Sequence, residues 1–101
     1  MKKLDTFIGL LNCVIKCAEQ EKSRICKNEE SSWNYDQIQG VVLPEMNELL
    51  LHANQGNLYF KYGKKQRLLE STYIITDSMK DLTNTELGKK VMELQKMYNF
   101  I

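Results

Sequence analysis

Leu4, Ile8, Leu11, Ile15 and Ala18 follow one another at alternating spacings of four and three, with Phe7 and Val14 beside them and Ile25 continuing the stripe. Apolar residues that return to one side every ~3.6 positions mark an amphipathic helix, expected here from about Leu4 to Cys26 with Gly9 as its weak breaker. A helix with an apolar stripe must bury it against other elements. The same spacing recurs at Tyr35, Ile38, Val42, Met46, Leu49 and Ala53, and again at Leu87, Val91, Leu94, Tyr98 and Ile101. On a helical wheel Leu10, Cys13 and Cys17 fall outside the first stripe and widen it, so that the first helix either sits centrally or has a partner.

Turn and cap signals divide these segments. Lys27 to Ser32 is polar, carries like charges and reads as the longest loop, after which Asn34 and Gln37 have the spacing of a capping box. The second helix keeps its phase through Pro44, whose missing amide and effect on Leu43 predict a kink there. Gly56, within Gln55-Gly56-Asn57, suits the left-handed position that closes a helix. A third helix is expected on the stripe Leu58, Tyr62, Lys65, Leu68, Thr72, Ile75, Met79 and Leu82. Leu58 to Tyr62 and Tyr73 to Thr76 also have strand-like composition, and a hairpin turning at Gly63-Lys64 is the alternative. Thr83 and Glu86 have the spacing of a second capping box, opening the last helix.

A chain of 101 residues, 43% hydrophobic and 27% charged, is sized for one domain spanning 1–101. Short connections between long helices make neighbours antiparallel, so the expected fold is all-α, an up-down-up-down four-helix bundle with its second helix kinked at Pro44. Met1-Lys2-Lys3 ahead of Phe7 to Ile15 has the outline of a signal peptide, but Asp5 and Asn12 interrupt it and no small-residue cleavage site follows. Leu10-Leu11-Asn12-Cys13 likewise lacks the small residue that a lipoprotein site places before its cysteine. The apolar run stops at Lys16, well short of the ~20 residues a membrane span needs. Cys13, Cys17 and Cys26 are odd in number and crowded into the first quarter, which favours a reducing, cytoplasmic home.

No constellation for catalysis stands out. Cys13 and Cys17 lie one helical turn apart, but nothing in the spacing brings the single histidine, His52, to them, so neither a metal nor a cofactor is expected. The thiols lack a CxxC arrangement, and Asp77 and Asp81 lack the ExxH partners of di-iron bundles. The chain is expected not to be an enzyme.

Two binding surfaces suggest themselves. The stretch Asn57 to Arg67 interleaves Tyr59, Phe60 and Tyr62 with Lys61, Lys64, Lys65 and Arg67, the mixture of rings and cations that single-strand nucleic-acid binders use. Against this, the chain carries 14 basic and 13 acidic residues, and Asn28 to Phe60 holds five acidic residues and no Lys or Arg. An antiparallel third helix would set Glu48 near Lys64 and Glu45 near Arg67, neutralising the patch. A protein partner, or a second copy, is therefore the preferred expectation and nucleic acid the alternative. Leu10, Cys13 and Cys17 are the candidate contact strip; Trp33 is either an anchor for that partner or a staple on its own helix. In architecture alone, without a shared motif, such a bundle resembles the immunity proteins that protect bacteriocin producers, and small regulators or inhibitors of larger machines.

Overall fold

The computed structural model describes residues 2–56 and 68–99, with side chains from Leu4 onward. The described residues form four packed helical bodies and no strand. The first, α1, spans Lys2–Cys26. It closes through Asn28, whose φ of 61° is left-handed: Asn28 N donates to Ile25 O (3.0 Å) and Glu29 N to Arg24 O (2.9 Å). These bonds satisfy carbonyls that the helix end would leave bare, and Asn tolerates this conformation better than other non-glycine residues.

The second body is continuous but changes its winding. It comprises α2 (Tyr35–Gln37), a π-helical stretch (Ile38–Val42) and α3 (Leu43–Asn54). The capping box forms as expected, with Gln37 N donating to Asn34 Oδ1 (2.8 Å) and Asn34 N to Gln37 Oε1 (2.9 Å). Leu43 N reaches back five residues to Ile38 O, so the wide turn falls immediately ahead of Pro44. Proline cannot donate to the carbonyl four residues back and its ring crowds that carbonyl, and one wide turn makes room. Val42 and Leu43 keep right-handed helical dihedrals. Gly56, at φ 72°, takes the closing position.

The third body departs from expectation. Asn57 to Arg67, with the strand alternative, lies outside the described residues. Beyond it α4 spans only Glu70–Asp77: Leu69 is extended (φ −67°, ψ 146°), as is Ser78 (φ −77°, ψ 143°). Thr72 and Ile75 are buried as the stripe requires, but Leu68 and Met79 lie beyond the helix ends and are exposed. The early stop follows from Ser78, whose Oγ accepts from Lys80 N (3.1 Å) and favours a turn.

A 3₁₀ turn (Leu82–Asn84) leads into α5 (Glu86–Asn99). The cap is Thr85 rather than Thr83, because Leu82 is drawn into the core and Thr83 is wound into the turn, where its hydroxyl donates to Asp81. Thr85 Oγ1 donates to Leu82 O (2.6 Å) and accepts from Gly88 N (2.9 Å) and Trp33 Nε1 (2.9 Å). One donor and two acceptors are all that a hydroxyl has.

α1 packs against both α3 and α5, and α4 packs against α5 and the π-helical stretch. The rings of Phe7 and Tyr98, 6.0 Å apart, put the start of α1 beside the end of α5. The α1 face that is fully buried is Phe7, Leu11, Val14 and Ala18, with Ile8 and Ile15 half-buried at its edge. Each large apolar side chain buried this way stabilises the fold by about 1.5–3 kcal/mol.

Gly88 marks the tightest junction: a Cβ there would lie 1.8 Å from Leu82 O. Gly88→Ala is therefore expected to lower the unfolding free energy by about 3 kcal/mol, the upper range for overpacking. Gly9 in α1 has nothing within 4 Å of the same atom, and Gly9→Ala should raise stability by about 0.5–1 kcal/mol. Urea unfolding of the two variants checks both signs.

Candidate docking cleft beside α4

The residues singled out on α1 do not form one open apolar strip. Leu10 and Cys17 are half-buried against the core, and only Cys13 is exposed. Trp33 is 3% exposed, and its indole N–H is held by Thr85. It packs inside the fold instead of standing at the surface. Cys17 faces the start of α5, where burial, and after it the Glu86 carboxylate, push its thiol above the ordinary range. Tyr59, Lys61, Lys64, Lys65 and Arg67 lie outside the described residues. His52 is half-buried on α3, and among the described residues no three His, Cys, Asp or Glu side chains converge on a metal-sized site.

What the fold does assemble is the seat of α4. Glu45, on α3, reaches across to the first turn of that helix: Oε2 accepts from Glu70 N (2.8 Å), and Oε1 accepts from both Ser71 N and Ser71 Oγ (2.8 Å each). From α5, Gln95 Oε1 accepts from Leu69 N (2.8 Å), and Gln95 Nε2 donates to Asn99 Oδ1 (3.0 Å). Glu45 and Gln95 are each 7% exposed and Ser71 is fully buried. A carboxylate that accepts backbone amides at a helix start makes strong, charge-assisted bonds and opposes the positive end of the helix dipole.

This seating fixes which way α4 is turned. Its inward residues are Ser71, Thr72 and Ile75, so small polar side chains face the core. Tyr73 is 57% exposed and Ile74 half-buried, and Leu68, just ahead of the helix, is 55% exposed. Two small polar side chains thus lie inward beside Ile75 while a tyrosine stands in solvent, a departure from the usual amphipathic arrangement. Leu68, Tyr73 and Ile74, with Val41 of the π-helical stretch and Glu70, line a cleft of about 420 Å³.

A second pair of clefts lies where the end of α1 meets the start of α5, and they share Glu21, Arg24 and Glu86. There Arg24 is engaged by Glu21 (3.8 Å), Glu29 (3.9 Å) and Glu30 O (3.1 Å), so its charge is met within the chain. The cleft beside α4 has exposed apolar side chains and is the better candidate. Sequence reasoning placed Leu68 on an inward stripe and missed the pair Tyr73-Ile74. The available signal was that this pair falls off its stripe, as Leu10, Cys13 and Cys17 do on α1.

No helix among the described residues is long and apolar enough to cross a membrane. Comparison of the chain with protein-family models, with curated proteins and with solved structures returns no match.

Replacing Glu45 by Ala strands two amides and a hydroxyl, and is expected to destabilise the protein by about 2–3 kcal/mol. Because Ser71 shares the network, Glu45→Ala and Ser71→Ala should be non-additive by at least ~0.5 kcal/mol in a double-mutant cycle of urea unfolding. At Cys17, alkylation by iodoacetamide should accelerate only as pH rises past the ordinary thiol range, since a raised pKa withholds the thiolate. Glu86→Gln removes one cause of that shift and should speed the reaction at a given pH, as followed by mass spectrometry.

Proposed function

We propose that this protein acts without catalysis, as a small cytoplasmic interaction module of the immunity, inhibitor or regulator kind, and that it binds another protein through the cleft beside α4. The observation that carries this reading is the fixed orientation of α4. A buried charged network holds the helix with Ser71 and Thr72 inward and leaves Tyr73 and Leu68 in solvent, with Ile74 half-buried beside them. Large apolar side chains held outward on a fixed helix are what a partner can bury, and a tyrosine over an apolar pocket is the type of residue that dominates interface energetics. An up-down-up-down order of the helices, bent at Pro44, belongs to the same reading. It is supported by the meeting of Phe7 with Tyr98 at one end of the molecule and of Trp33 with Thr85 at the other.

The test is capture from lysate of the source cells by the tagged full chain, with and without nuclease, using surface variants. Under this reading a defined protein stays bound after nuclease and is lost with Tyr73→Glu. It is retained with Leu51→Glu, an exposed apolar residue (56%) outside the cleft. Loss of everything on nuclease treatment, or sensitivity only to Lys64→Glu with Arg67→Glu, would replace the proposal with the nucleic-acid reading. Capture of only its own chain, broken by Leu10→Asp, would move the interface to α1 and a homodimer.

A further inference from the structure

We infer that the cleft beside α4 takes a basic amphipathic helix, which places an apolar side chain between Val41 and Tyr73 and a Lys or Arg at each end of α4. This rests on the docking reading above and adds the chemistry of the occupant.

The outward face of α4 reads Glu70, Tyr73, Ile74, Asp77, the one-face spacing of i, i+3, i+4 and i+7. Its apolar centre therefore lies between two carboxylates about 10 Å apart along the helix axis. Both are exposed, and neither forms an ion pair among the described residues. Glu70 is the charged residue among those lining the cleft, and α4 contains Glu70 and Asp77 with no Lys or Arg.

An acidic partner would be repelled by this field, and a wholly apolar one would strip water from carboxylates without replacing it. Nor does α4 suit a second copy of itself. Packed antiparallel across a two-fold axis, Glu70 of one copy would meet Asp77 of the other, like charge on like charge. Cations spaced to match Glu70 and Asp77 remove both penalties and set the register of the incoming helix.

The experiment pans a phage-displayed library of helical peptides against the full chain, and measures the selected peptides by fluorescence anisotropy at low and high salt. The selected sequences are expected to carry Lys or Arg on both sides of an apolar pair. They should bind the Glu70→Gln/Asp77→Asn variant about tenfold more weakly, with the difference shrinking at high salt as screening removes rim charge. Since both substituted residues are exposed, the variant should keep its thermal midpoint by circular dichroism, which separates lost charge from lost fold. Peptides without basic bias, affinity unchanged in the variant, or no selected peptide at all would each overturn the inference. If selected peptides lack basic bias yet are lost with Tyr73→Glu, the docking cleft stands and only the chemistry of its occupant is wrong. If selected peptides bind regardless of Tyr73→Glu, the cleft itself is refuted.

Discussion

The seating of α4 depends on the carboxylate of Glu45, because this helix has no local means of existing. Eight residues make barely two turns, too few to be stable alone, and Leu69 at the N-cap position offers no side-chain acceptor. Glu45 supplies the missing cap from 25 residues away, with both oxygens engaged. Burying a carboxylate costs several kcal/mol of lost hydration, which the bonds donated by Glu70 N, Ser71 N and Ser71 Oγ help to offset. Those bonds in turn leave α4 little freedom of rotation.

The wide turn ahead of Pro44 belongs to the same account. Ile38, Val42 and Met46 are fully buried at two successive spacings of four, which an α-helix would let drift around its axis. A π-helical stretch advances less per residue, so that spacing stays on one face. The proline that forces the wide turn thus sits where the apolar pattern also needs it, and Glu45 follows directly. At the opposite end, Thr85 performs a comparable joining role, tying the start of α5 to Trp33 across 52 residues through one hydroxyl.

These long-range bonds mark where sequence reasoning stops. The extent of α1, the Asn34–Gln37 box, the turn at Gly56 and the inward stripes of α3 and α5 all rest on interactions within a few residues, and the pattern displays them directly. The bounds of α4 and the choice of Thr85 over Thr83 are decided by Glu45, Gln95, Trp33 and Leu82, whose nearness only the folded chain creates. The same holds for the cleft. Leu68 looks like a core residue while helix three is read as one long rod, and becomes a surface residue once the helix begins at Glu70. Trp33 goes the other way, from candidate anchor to core.

The exposure of Tyr73 can be derived from the anchor. Ser71 must point inward for its hydroxyl to reach Glu45, and at about 100° per residue Tyr73 is then turned about 200° away, onto the far side of the helix. Ile74 follows at the edge and Ile75 comes back to the core. Turning Tyr73 inward by rotating α4 would break the Glu45 network and carry the exposed Glu70 and Asp77 carboxylates towards the core. A helix held this way has its outward face ordered by the fold itself, from bonds that reach it across 25 residues and more.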